Sequence, residues 1–295
     1  MPYFSYHGGH SGQFCRHAKG SLAEVVERAL AEGFTHYGLS EHCPRYRAED
    51  LFEEESDLGV DGLLSLFEDY HREACRLRDA HAGRIEILVG FETERLPPDD
   101  WAGTMKRLRA ATDADFVIGS VHHVDGRCID YSQEQTERLA RELGGHVVLE
   151  RAYFDDLTEL VAELAPEVVG HLDLVRKFDG PGAAFGDEVW PHIERTLAAV
   201  ADVDAVLDVN SGAHRRGLSP VYPLDPILAR AREMGIAVTL GDDSHGAHDV
   251  GVGLDACLEA IARAGYREVA YFERREGAVQ RFLAPITEVA PHGLG

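Results

Sequence analysis

Histidines and carboxylates in this chain recur in one kind of place, directly after short apolar runs. Tyr3–Tyr6 leads into His7-Gly8-Gly9-His10, Thr35–Leu39 into Ser40-Glu41-His42, and Ile85–Val89 into Gly90-Phe91-Glu92. Phe116–Gly119 leads into Ser120-Val121-His122-His123, and Val168–Gly170 into His171-Leu172-Asp173. Ala205–Val209 is followed by Asn210-Ser211-Gly212, and Ile236–Leu240 by Gly241-Asp242-Asp243-Ser244-His245. Imidazole mixed with carboxylate is the ligand set of zinc, iron and manganese. One histidine in such a place is more often a structural hydrogen-bonding group. The same arrangement at five run ends points instead to a metal centre. Glu92, alone at the end of its run, is placed to bridge two ions. Neighbouring metals clamp a phosphate and convert water to hydroxide near neutral pH. No competing chemistry is written in the chain: it has no GxGxxG or Walker loop in a strand-to-helix context, and no GxSxG elbow.

The elements that must position these groups follow from periodicity. The seven runs, with an eighth at Val269–Phe272, read as strands. Helical patterns fall between them at Leu22–Ala31, Gly62–Ala80, Ala102–Ala111, Gln133–Leu164 (broken at Gly144-Gly145), Glu188–Val200, Pro226–Met234 and Leu254–Ala264. Repeated β-α alternation implies a parallel sheet with crossover helices, and seven or eight such units imply a barrel. The carboxyl ends of barrel strands converge on one face, so the polar clusters would meet there. The acidic stretch Arg45–Gly59 has no clear period and reads as a loop over the barrel mouth. No linker, repeat or low-complexity tract divides the chain, which reads as a single domain over 1–295.

Composition narrows the partners. The 295 residues carry 29 Lys+Arg against 52 Asp+Glu, a net charge of −23, and 44% are hydrophobic. That apolar content builds a sizeable core. The negative charge argues against nucleic acid or an anionic membrane, which demand clustered basic residues. An acidic protein that binds phosphate must create a local positive site, and metal ions do so. Five scattered cysteines, odd in number and without a CxxC, read as reduced thiols. No apolar run is long enough to span a membrane, and the first residues lack a signal-peptide pattern, so a soluble, cytoplasmic protein is expected.

Taken in order, the motifs resemble the PHP (polymerase and histidinol phosphatase) superfamily, and within it the histidinol-phosphate phosphatases. The residues that carry the resemblance are His10-Ser-Gly-Gln-Phe-Cys15, Gly38-Leu-Ser-Glu-His-Cys-Pro-Arg45, Gly90-Phe-Glu-Thr-Glu94, Gly119-Ser-Val-His-His-Val124, Gly170-His-Leu-Asp-Leu-Val-Arg-Lys-Phe178, Asp208-Val-Asn-Ser-Gly212 and Gly241-Asp-Asp-Ser-His245. The resemblance implies an α/β fold, a distorted (β/α)7 TIM-like barrel, with two or three divalent or trivalent ions (Zn, Fe or Mn) that hydrolyse phosphomonoesters. Its metal ligands would be His10, His42, Glu92, His122, His171, Asp243 and His245. Where the family opens with HxH, Gly8 stands in place of the first histidine. His7 lies one residue earlier and joins the ligand set on the expectation that two glycines let the chain bulge. Gln13 and Cys15 lie where relatives often place a further acidic ligand, and Asp242 replaces a family serine. His123 reads as supporting rather than ligating, and His17 as a surface or core residue.

The mechanism the resemblance implies is metal-assisted hydrolysis without a covalent enzyme intermediate. Catalytic roles fall to Glu92, Asp243 and His245, with Asp173 or His245 protonating the leaving alkoxide. Arg176, Lys177, Arg45, Arg215 and Arg216 are candidates to hold phosphate oxygens. L-Histidinol phosphate carries an amine and an imidazole, and Glu53, Glu54, Glu55 and Glu94 offer charge for that cationic end. Alternatives are the same centre acting on another small phosphomonoester or nucleotide, and a metal-binding PHP domain that has lost catalysis. An amidohydrolase-type barrel needs a strand-end lysine, which neither Lys106 nor Lys177 provides.

Overall fold

The computed structural model describes residues 1–290, apart from 181, 183, 216 and 218–220. Seven strands form one sheet: β1 (Phe4–Ser5), β2 (His36–His42), β3 (Glu86–Glu92), β4 (Phe116–Gly119), β7 (Val168–Val169), β8 (Val206–Asn210) and β9 (Val238–Gly241). Two further strands, β5 (His123–Val124) and β6 (Arg127–Cys128), make a short antiparallel ribbon. Neighbours in the sheet are parallel in the order β1-β2-β3-β4-β7-β8-β9. The two edges meet: Tyr6 N–H donates to the Leu240 carbonyl at 2.9 Å, and Asp243 N–H to the His7 carbonyl at 2.7 Å. The result is a nearly closed barrel of seven parallel strands.

Helices cover the outside. They are α1 (Leu22–Ala31), α2 (Gly59–Ala80), α3 (Trp101–Thr112), α4 (Gln133–Leu143), α5 (His146–Leu164), α6 (Trp190–Asp202), the single turn α7 (Gly212–Arg215), α8 (Asp225–Glu233) and α9 (Leu254–Arg263). Local chemistry sets their limits. Ser21 caps α1 in a reciprocal capping box with Glu24. Gly144 ends α4 in a left-handed conformation that divides it from α5. Each helix turns an apolar stripe inward; Leu22, Val25, Val26 and Ala29 of α1 are buried against strands that are apolar on both faces.

One sequence expectation is corrected. The run Val269–Phe272 is not a barrel strand. It belongs to β10 (Glu268–Arg275), which pairs antiparallel with β11 (Ala278–Pro285). This hairpin crosses the barrel at the amino ends of its strands. Tyr6 Oη donates to the Phe272 carbonyl at 2.7 Å, and Thr239 Oγ1 to Ala270 at 2.8 Å. The hairpin closes the end opposite the histidines, leaving one mouth. No described helix is long and apolar enough to cross a membrane.

Candidate metal centre

Strand geometry delivers the polar residues to one point. His42 and Glu92 are the last residues of β2 and β3 and are paired in register. His7, His171 and Asp243 each follow the end of β1, β7 and β9 by two residues, and His122 follows β4 by three. Glu92 is 1% exposed and sits at the middle of the cluster. Its Oε1 lies 3.0 Å from His7 Nε2, 3.1 Å from His171 Nε2 and 3.3 Å from His122 Nε2. Its Oε2 lies 3.0 Å from His42 Nδ1 and 3.8 Å from His10 Nε2. Asp243 Oδ1 stands 3.9 Å from His10 Nε2 and 3.7 Å from His245 Nδ1.

A second ring of groups aims the imidazoles. Asp208 Oδ2 accepts from His7 Nδ1 at 2.6 Å, and Glu41 Oε1 from His10 Nδ1 at 3.0 Å. Glu94 Oε2 faces His122 Nδ1 at 3.1 Å and His123 Nδ1 at 3.0 Å. A carboxylate on one ring nitrogen turns the other nitrogen's lone pair toward a metal, a common arrangement behind ligating histidines. Glu94, expected at a cationic substrate end, therefore backs the cluster instead.

The residues fit a metal by a direct test. Glu92 Oε1 and Oε2, His7 Nε2 and His10 Nε2 are all buried without a hydrogen-bond partner. Burying four such atoms unsatisfied is costly, and a cation among them removes the cost. Several pairs also meet nitrogen to nitrogen, His122 with His171 at 3.3 Å and His17 with His42 at 3.2 Å. Among the described residues four groups of ligand atoms each gather closely enough for an ion: His7, Glu92 and His171; His7, His10 and Asp243; His10, His42 and His245; and Cys15, His17 and His42.

Electrostatics divides the cluster. Burial pulls the His7 imidazolium down, but Glu92 and Asp208 outweigh it and hold His7 well above its ordinary value. Burial, then His10, lowers both His42 and His245; burial, then His42 and His10, takes His17 down to about 3. These three are neutral and offer lone pairs, the form a metal binds.

His17 is the residue that sequence reasoning placed elsewhere. It packs 5.1 Å from the His42 ring and 5.0 Å from that of His245, and its group with Cys15 and His42 is also close enough for an ion. The available signal was the Cys15-x-His17 spacing just past His10. Gln13 instead accepts the Leu22 N–H at the start of α1.

The cluster opens into a cavity of about 250 Å³ whose wall includes His42, Glu92, His122, His171, Asp243 and His245. Arg45, Phe52 and Glu54 from the acidic segment line it too, as do Tyr131 and Lys177. The segment 45–59 does lie over the mouth, built as two 3-10 turns, Ala48–Asp50 and Glu53–Glu55. Asp173 is fully buried; its Oδ2 accepts from Arg176 Nε at 2.6 Å and from Leu224 N–H at 3.0 Å, and it is not on the cavity wall. Arg176 is turned to the same partner, with its other donor on the Val221 carbonyl. Lys177 Nζ donates to Asp130 Oδ2 at 2.9 Å, and Arg215 to the carbonyls of Asp242 and Asp243. Arg216 lies outside the described residues.

Comparison with known proteins agrees with this geometry. A protein of Schizosaccharomyces pombe named "Probable histidinol-phosphatase" is 34% identical over 279 residues, covering 93% of this chain and 90% of its own. The histidinol-phosphatase of Saccharomyces cerevisiae is 27% identical over 293 residues, 86% of this chain and 87% of its own. Among solved structures, the histidinol phosphate phosphatase of Lactococcus lactis, complexed with zinc, L-histidinol and phosphate, superposes with a TM-score of 0.74. It covers 94% of this chain and 98% of its own at 21% identity, a likeness of fold. Residues 7–212 match the family model of the PHP domain. By that match and the S. pombe relative together, the chain belongs to the PHP domain family.

Proposed function

We propose that this chain is a metal-dependent phosphomonoester hydrolase whose substrate is L-histidinol phosphate, cleaved to L-histidinol and phosphate. The observation that carries the reading is the Glu92 carboxylate, centred among five imidazoles with neither oxygen hydrogen-bonded. Two or three ions of the zinc, iron or manganese type would be held by His7, His10, His42, Glu92, His122, His171, Asp243 and His245, with His17 at the outer position. Bound ions supply charge neutralisation for phosphoryl oxygens and lower the pKa of water.

The chain's own residues do the rest. Asp208, Glu41 and Glu94 hold three imidazoles in orientation. Asp173 is committed to Arg176 and lies off the cavity wall, so it is not the donor to the leaving alkoxide, and His245, neutral and lining the cavity, serves as a ligand rather than an acid. Glu54 lines the same cavity and, among the described residues, has no ion-pair or hydrogen-bond partner; it is the carboxylate free to meet a cationic substrate end. The names of the S. pombe and S. cerevisiae relatives support the substrate. The chain is read as one domain because residues beyond 212 contribute β9, Asp243 and His245 to the same barrel.

Replacing Glu92 with Gln tests the reading. The variant is expected to lose bound metal, measured by elemental analysis, and to lose about 100-fold or more in turnover of histidinol phosphate. Wild-type levels of both would rule the proposal out.

A further inference from the structure

A cation buried among protein atoms needs partners, because leaving water is expensive unless charge pairing or hydrogen bonds compensate. Of the described cations offered for phosphate binding, Arg176, Lys177 and Arg215 have theirs in place, as given above. Arg45 differs. The residue is only 7% exposed, yet among the described residues its one hydrogen bond is a long one, 3.4 Å to the Cys43 carbonyl. Its Nε is buried with no partner, and no described carboxylate reaches it within ion-pair distance. The nearest negative charges are otherwise engaged: Glu94 with His122 and His123, and Glu55 with the Phe52 N–H at 3.0 Å.

What does hold Arg45 is an aromatic face. Its guanidinium carbon lies 5.0 Å over the Phe52 ring, and Phe52 in turn stacks on Tyr131 at 5.8 Å with the rings 16° apart. Stacking of this kind fixes the guanidinium plane and leaves its N–H edge available, the geometry that suits a phosphate. All three residues line the cavity that the metal cluster faces.

We infer that Arg45, steadied by Phe52, binds the non-bridging oxygens of a phosphate group in this cavity. The inference rests on the metal-phosphatase reading for the remainder of the site. Its test uses the metal-loaded protein with inorganic phosphate as the probe, titrated by calorimetry, with bound metal and Tm measured on each sample. Arg45→Met is expected to weaken phosphate binding by about tenfold or more at unchanged metal content. Arg45→Lys keeps the charge without the fork and is expected to weaken it by about threefold. An Arg45→Met affinity within about twofold of wild type overturns the inference; if that variant does not fold, wild-type affinity in Arg45→Lys overturns it instead. Wild-type protein that takes up metal but no phosphate also overturns it. Wild-type protein that binds phosphate but leaves histidinol phosphate intact overturns the substrate assignment alone, and the Arg45 comparison still decides the role of Arg45.

Discussion

His7 shows how a neighbour can orient one imidazole for the ligand role proposed for it. The ring is fully buried, and its Nδ1–H points at Asp208 Oδ2 over 2.6 Å, which leaves Nε2 facing Glu92. Asn210 Nδ2 donates to the same carboxylate oxygen at 2.8 Å and so fixes Asp208 in turn. Asp208→Asn keeps the shape but removes the charge that sets the tautomer. Loss of an outer-shell partner of this kind typically costs 10- to 100-fold in metal affinity, so that is the expected effect (about 10- to 100-fold) in a competitive chelator titration. Unchanged affinity would mean that His7 does not ligate. Asp208 was legible in the sequence as part of a motif, but its role was not: support of this sort depends on a strand far along the chain meeting the first one.

At the scale of elements, the decisive feature is the turn out of β1. His7 and His10 are separated by two residues, and the chain between them is tied down on both sides. Gly8 N–H donates to Ser40 Oγ at 3.1 Å, and Gly9 N–H to Ser244 Oγ at 3.0 Å. Gly8 has φ +144°, and a β-carbon there would stand 2.3 Å from Asp242 Oδ1. The two departures from the family pattern are thus complementary, because the Asp242 carboxylate occupies the space that a side chain at position 8 would need. Gly8→Ala is expected to lower unfolding free energy by about 2–3 kcal/mol in urea denaturation, from strain and overpacking together; a loss under about 0.5 kcal/mol would contradict it. The helices were legible because their apolar stripes are strong, α1 to the residue. Strands β2 and β3 run past their apolar stretches to include His42 and Glu92, since polar side chains inside a strand erase the apolar signal that marks it. The sequence leaves β10 open as an eighth barrel unit because its partner β11 is largely exposed and carries no apolar run to announce a hairpin.

For the whole molecule, the net charge of −23 raises the question of where the acid is tolerated. Part of it is concentrated in the cluster around Glu92, where bound cations would offset it. Some lies where no described cation pairs with it. Glu150 on α5 is half-buried, and burial, then the charge of Asp179, raises its carboxyl to about 7. A carboxyl whose folded-state pKa exceeds its unfolded value near 4.5 binds more protons in the folded state between those limits. Its contribution to stability is therefore present below about pH 4.5 and is lost as pH rises through about 7. Asp156, raised to about 6 mainly by burial even though Arg95 pairs with it at 2.7 Å, acts in the same sense. Glu150→Gln replaces the carboxyl with a neutral group of the same shape, so it should matter little at pH 5 and stabilise at pH 8. Thermal melts of metal-loaded wild type and variant at the two pH values, in matched salt, are expected to give a gain of about 1–3 °C at pH 8 that is several-fold smaller at pH 5. A Tm difference of the same size at both would place the effect in packing, and Glu150 would then carry no pH-dependent cost.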